Sequence, residues 1–223
     1  MKLLFKFGMK EHMKALIEEG QLYMGTFKSY RNNDNFEIGD KNEGAHRIIN
    51  STNVSFNNVE KNTGKLSFLG ELQDVTVREF NEHFENSRVY CMYRVETELN
   101  DLTNLSSLLD VKLLKRFGYD SIVMIANVGE FYSRIDNFMS NKGFIYRRDL
   151  VAYKDLNNGG EELNPFIKDI RFKHQSEYRL CIQKVKGKEP IKLSLGNLDD
   201  ISLIFDIQNV NKIVLSLNEA DFK

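Results

Sequence analysis

Phe172-Lys173-His174-Gln175-Ser176-Glu177-Tyr178-Arg179-Leu180-Cys181-Ile182 begins charged and ends apolar, and its second half alternates with the two-residue period of a strand. Successive side chains point to opposite faces of a strand. Glu177, Arg179 and Cys181 therefore share one face, and Tyr178, Leu180 and Ile182 the other. A carboxylate and a guanidinium side by side at the start of a rigid element can position a substrate. The same two charges also serve as a solvated cross-strand pair, so the stretch marks a place before it marks a chemistry.

The amino-terminal end supplies the elements that such a strand would join. Leu3-Leu4-Phe5-Lys6-Phe7 reads as a strand closed by Gly8. Met13, Leu16 and Ile17 recur at three- and four-residue spacing in Lys10–Glu19, which predicts a short amphipathic helix stopped by Gly20. Gln21–Thr26 is then a second strand, and this compact opening places Lys6 and Tyr23 on neighbouring elements.

The segment Asn32–Gly44 is the most polar loop of the chain and carries Asp34, Glu37, Asp40 and Glu43. Asp34 and Gly39 fit an EF-hand calcium loop, but Phe36 and Ile38 fall where that loop needs oxygen ligands, which excludes it. A long loop of this kind within a compact domain is often functional, although Asn and Gly also make ordinary solvated turns.

Patches of alternation from His46 to Phe80 predict antiparallel strands, with turns at Asn57-Asn58 and Thr63-Gly64. Arg88–Glu96 is a strand apolar on both faces at its centre, as in the middle of a sheet. Leu102–Arg116 and Val128–Asn141 have helical spacing, and Ser121–Ala126 is a buried strand. Strands over Phe144–Tyr153 and near Ile191–Leu195, Ile201–Ile207 and Lys212–Leu217 complete the chain, the last three as strands or a short helix. With two prolines and no linker, repeat or low-complexity run, the expectation is one α+β domain over residues 1–223. It would have mostly antiparallel central sheet structure and a few short helices.

Thirty-one basic and 32 acidic side chains leave a net charge of −1, so bulk electrostatics give no reason for general nucleic-acid or membrane affinity. Cys91 and Cys181 sit in apolar strand-like runs and read as buried free thiols of a reducing compartment. The first six residues are too short and charged for a signal peptide, and no apolar run approaches the ~20 residues that span a bilayer. The expectation is a cytoplasmic protein without a membrane partner.

Neither phosphate-binding glycine loop, P-loop or Rossmann, is present. His12, His46, His83 and His174 are scattered without zinc-ligand spacing, no metal is called for, and neither cysteine has a histidine placed to activate it. Two basic groups remain. Arg147-Arg148 is one, and the run from Lys168 through Lys173 and Arg179 to Lys188 is the other. A phosphate-bearing ligand needs such donors, and a solvated face looks the same in sequence.

Several short motifs resemble an uncharacterised bacterial family often found near phage-defence genes. Its members open with Tyr-Lys-Tyr, continue to Asn-Asp-Pro-Phe-Glu and end in Glu-x-Glu-Tyr-Arg. Here the matching stretches are Leu4-Phe5-Lys6-Phe7, Leu22–Phe27, Asp34–Glu37, Phe117-Gly118 with Ile122–Ile125, Phe144–Tyr153 and Lys173–Arg179. More remotely, the order of elements is similar to ADP-ribosyltransferases. That resemblance implies Lys6 on the first strand, Tyr23 or Thr26 on the second and a catalytic Glu177 on a later one, with NAD as co-substrate. Apart from that resemblance, Arg31, Thr26, Arg179, Lys173 and Asp40 are the candidate ligand contacts.

Three functions follow. The first is a toxin or defence effector that transfers ADP-ribose from NAD to a nucleic acid or protein, with Glu177 steadying the charge that develops as nicotinamide leaves. The second is a sensor that binds a nucleotide ligand or partner without chemistry. The third is a metal-dependent nuclease built on Asp34, Glu37, Asp40 and Glu43.

Overall fold

The computed structural model describes residues 1–35, 37–97, 103–110, 114, 116–158 and 162–216. It is an α+β fold built on an eight-stranded antiparallel sheet. The backbone of that sheet runs β12 (Ile191–Ser194), β2 (Gln21–Thr26), β5 (Arg88–Glu96), β1 (Lys2–Gly8), β7 (Ser121–Ile125), β13 (Ser202–Asp206). From β5 a branch continues to β11 (Glu177–Ile182) and β8 (Tyr146–Leu150). A short parallel pair, β9 (Ala152–Lys154) with β10 (Ile167–Asp169), lies before β11 in the chain.

The predicted opening is present residue for residue in outline. Helix α1 (Lys10–Glu19) buries Met13 and Leu16, and Gly20 caps it in the left-handed conformation at φ 60°. Helix α5 (Val128–Asn141) buries Val128, Phe131, Ile135 and Met139, a single stripe at three- and four-residue spacing. Both helices cover one face of the sheet, where they meet Leu4, Tyr90, Met92, Tyr178, Leu180 and Ile182. The opposite face packs Leu3, Phe5, Ile122 and Met124 against Leu105, in the one-turn helix α4 (Leu105–Leu108), and against Ile207 and Val210.

Several boundaries differ from expectation. The alternating patches between His46 and Phe80 form one long hairpin, β3 (Ala45–Val59) with β4 (Leu66–Phe80). Asn57 and Asn58 pair within it instead of turning, because the turn is made at Thr63-Gly64, where Gly64 takes φ 68°. The helix expected over Leu102–Arg116 is interrupted: β6 (Thr103–Asn104) comes first, α4 follows, and Leu114 and Arg116 are helical again, with residues 111–113 and 115 outside the described part. Asn104 explains the change locally: its side chain accepts from the Ser106 N–H and caps a new helix start. Both cysteines are free thiols, Cys181 buried and Cys91 half-buried.

One irregularity positions everything described below. The β1–β5 register runs from Lys2↔Glu96 to Phe5↔Tyr93 and stops, while β1 keeps pairing with β7 as far as Gly8↔Ser121. Strand β2 meets β5 only at Gly25↔Val89 and Thr26↔Arg88 and otherwise follows β12. Tyr90, Cys91 and Met92 thus pair with β11 on one edge and, among the described residues, with no strand on the other. The sheet parts there, and a cleft opens between β1, β2 and β5.

The turn after α1 holds the β2 side of this opening in place. A Cβ at Gly20 would lie 2.2 Å from the Gly196 carbonyl oxygen, and its left-handed backbone already disfavours a side chain. Gly20→Ala is expected to lower stability by more than about 1–2 kcal/mol, the cost of the left-handed conformation alone, as measured by urea denaturation.

Candidate functional site

The cleft has a volume of about 720 Å³ and is lined by Lys6, Tyr23, Tyr90, Gln175, Glu177 and Arg179 among others. Its deep end is a buried ionic cluster. Arg179 reaches Glu177 Oε2 through Nε at 2.7 Å and grips both oxygens of Glu43 through Nη1 at 2.8 Å and Nη2 at 3.0 Å. Lys168 Nζ lies 2.7 Å from Glu177 Oε1 and 3.5 Å from Glu43 Oε2, and donates to Gln175 Oε1 at 2.7 Å. The Pro165 carbonyl accepts a further bond from Arg179. Two cations face two anions, which is the arrangement that lets four charges be buried together.

Burial alone would raise the Glu177 carboxyl, but Arg179 and Lys168 outweigh it and hold it well below the usual carboxylate range. Glu177 is therefore an anion at any physiological pH and a poor proton acceptor. Each of its oxygens keeps a second lone pair, so the group can still accept from a ligand hydroxyl. The turn that delivers it is constrained: Ser176 sits at φ 40°, unusual for a residue other than glycine, and its Oγ donates to the Arg94 carbonyl at 2.8 Å.

Lys6 occupies the place where the sheet parts. Its Nζ crosses the opening to the Cys91 carbonyl at 2.7 Å and lies 4.6 Å from the centre of the Tyr90 ring. Burial pushes this ammonium down from the ordinary lysine range, against the pull of Cys91 and Glu177. Among the described residues, one of its three donors is engaged. Among the described residues the buried Tyr90 hydroxyl has no hydrogen-bond partner, an uncommon state for an interior polar atom. Burial pushes the Cys91 thiol up to about 12, which keeps it protonated and non-nucleophilic near neutrality.

The polar loop closes over this cleft. Glu37 is buried, and its carboxylate lies 3.3 Å from Arg116 Nη1 and 3.2 Å from His174 Nε2, while its carbonyl accepts from Gln175. Glu43 belongs to the ionic cluster, and Asp40 is buried, with its carboxylate accepting from the Asn42 N–H. Burial first, and Glu43 second, raise the Asp40 carboxyl to about 6.

Of the residues expected from sequence, Lys6, Tyr23, Glu177 and Arg179 line this cleft together. Arg31 does not. It pairs with Glu85 at 2.9 Å, donates to the Glu43 carbonyl and stacks on Phe80. Thr26 caps the short helix α2 (Phe27–Arg31), exchanging bonds with Ser29. Lys173 is exposed on the short 3₁₀ helix Ile170–Gln175 before Glu177, and Asp40 also falls outside the cleft lining. The acidic residues proposed for a metal do not assemble into one: no group of three potential metal ligands is found among the described residues. Sequence reasoning missed Gln175 and Tyr90, and gave Glu43 and Lys168 other roles than the buried cluster they share with Glu177 and Arg179. Lys168 was hidden in a basic run whose later members, Lys184, Lys186 and Lys188, are indeed exposed. The two-residue Gln175–Glu177 spacing was the available signal.

No family model, curated protein or solved structure matches this chain.

Asp40 gives a pH test. Its folded pKa, about 6, lies above the ordinary 3.8, so the folded state holds this proton more tightly and loses stability as pH rises between them. The loss approaches about 3 kcal/mol at neutrality by the linkage constant. Asp40→Asn keeps an acceptor for Asn42 and removes the penalty. The variant should match the wild type near pH ~4 and exceed it by about 2–3 kcal/mol near pH ~7 in urea titrations.

Proposed function

We propose that the cleft binds an anionic, ring-bearing metabolite of the nucleotide class, with NAD the first candidate, and that the protein serves as a ligand-binding module. The observation that carries this reading is the under-used Lys6 ammonium at the parted sheet. Among the described residues Lys6 engages one of its N–H donors, and it lines a cleft of about 720 Å³. Glu177 and Glu43 already have counter-ions and do not cancel Lys6. An anionic oxygen placed against Lys6 would take up its remaining donors. Tyr23 and Tyr93 on the cleft wall offer flat surfaces to a ring. The setting that fits the motif resemblance is a phage-defence pathway.

A specific observation favours transfer chemistry as the second reading. Lys6, Tyr23 and Glu177 come from three different strands and line one cleft, the placement that ADP-ribosyl transfer asks of them. In that reaction the ribose–nicotinamide bond breaks with its electron pair leaving on nicotinamide. A nucleophile of the acceptor then bonds to the ribose carbon and gives up a proton. Glu177 would accept from a ribose hydroxyl and offset positive charge at the ring, without acting as a base.

Calorimetric titration with NAD, ATP and inorganic phosphate tests the binding reading. Lys6→Met is expected to weaken the bound nucleotide about 10- to 100-fold, the worth of a charge-assisted hydrogen bond. Failure of all three compounds to bind would remove the proposal. Nicotinamide release from NAD separates the two readings: release that Glu177→Gln abolishes, with the fold retained, selects transfer, and binding without release selects the module.

A further inference from the structure

The β3–β4 hairpin is independent of the cleft and carries an unanswered question. Its root is anchored: Ala45 and Ile48 pack with Leu156 and Leu163, and the Asn50 amide donates to the Leu156 and Asn157 carbonyls. Beyond that anchor the hairpin stands away from the rest of the fold. From Val54 to Leu72 every residue is exposed or half-buried, yet Phe56, Val59, Leu66, Phe68, Leu69 and Leu72 all lie there. Phe68 and Leu69 are 66% and 69% exposed. An isolated two-stranded ribbon is marginal in water, and apolar side chains on it have nothing to gain from solvent.

The geometry restricts what can cover it. The register places Val59, Leu66 and Phe68 on one face and Phe56 and Leu72 on the other, with an irregularity beside Leu69. Apolar groups on both faces suit enclosure from two sides and not a flat layer such as a membrane. The hairpin from Ala45 to Phe80 carries four lysines and arginines against four acids, so it lacks the positive bias that nucleic acid requires. The six side chains expose roughly 700 Å² in all, close to the about 800 Å² that each partner buries in a stable interface.

The charges choose the occupant. Lys61 and Lys65 flank the tip, and Glu71 and Asp74 flank the inner end of the apolar segment; among the described residues none of the four has an ion-pair partner. We infer that the occupant is a second copy of this chain, with the outer halves of two hairpins overlapping antiparallel about a two-fold axis. In that arrangement the tip lysines of each arm come beside the acid pair of the other, twice by symmetry. Each arm encloses the apolar side chains of its partner, and the open outer edges of the ribbons become available to each other.

Sedimentation equilibrium on the full chain over a concentration series tests this. The wild type should reach twice the monomer mass. Phe68→Asp combined with Leu72→Asp should weaken the dimer roughly 100-fold, with an unchanged circular dichroism spectrum because both positions are exposed. Reversing Lys61 and Lys65 to Glu should weaken it roughly tenfold, and adding Glu71→Lys and Asp74→Lys should restore it. A wild type that remains monomeric throughout overturns the inference. So does a dimer indifferent to the apolar changes, or one that the compensating reversal fails to restore.

Discussion

Arg179 sits at 2% exposure between two carboxylates, one on its own strand and one brought in from the long polar loop. A guanidinium cannot shed its charge, so in an apolar interior it must be met by anions of matching geometry. Its fork does this with three N–H donors, and Lys168 of β10 adds a second cation at Glu177. The cluster therefore ties the loop ending at Glu43 to the β10 strand and β11, which lie more than a hundred residues further along the chain. Such clusters contribute little net stability, because desolvation offsets the attraction. Their effect lies in specificity, since any other arrangement leaves a buried charge alone.

The second determinant is the parting of the sheet. Strands β1 and β5 separate after Phe5↔Tyr93, while β1 stays with β7 and β5 stays with β11 on their other edges, and β2 rejoins β5 only at Val89 and Arg88. Backbone groups exposed by the separation need partners, and Lys6 answers one of them at the Cys91 carbonyl. The consequence is a cavity inside a sheet that is otherwise densely packed on both faces. Buried Arg88 repeats the same economy on a smaller scale, donating to the Gly187 and Glu189 carbonyls and fixing the turn before β12.

Much of the candidate site was legible, for identifiable reasons. Glu177 and Arg179 could be paired because strand periodicity places them on one face, and Lys6 and Tyr23 because a short strand–helix–strand opening leaves few ways to arrange them. Arg31, Thr26, Lys173 and Asp40 were misplaced because their local surroundings are polar loops, where sequence gives no direction to a side chain. Arg31 went to Glu85 and Phe80, at the root of a hairpin whose course was not foreseen.

Periodicity and glycine punctuation alone determined the α+β class, helices α1 and α5, and the buried strands, because these depend on patterns within ten or so residues. Tertiary structure decided where the sheet parts, which charges are buried, and that Val54 to Leu72 extends into solvent. Those features depend on strand order and on pairing between residues more than a hundred apart, such as Glu43 with Arg179, and no local pattern encodes them. The stretch from Phe172 to Ile182 carries both lessons: its alternation announced a strand, and only the assembled sheet made its two charges the floor of a cleft.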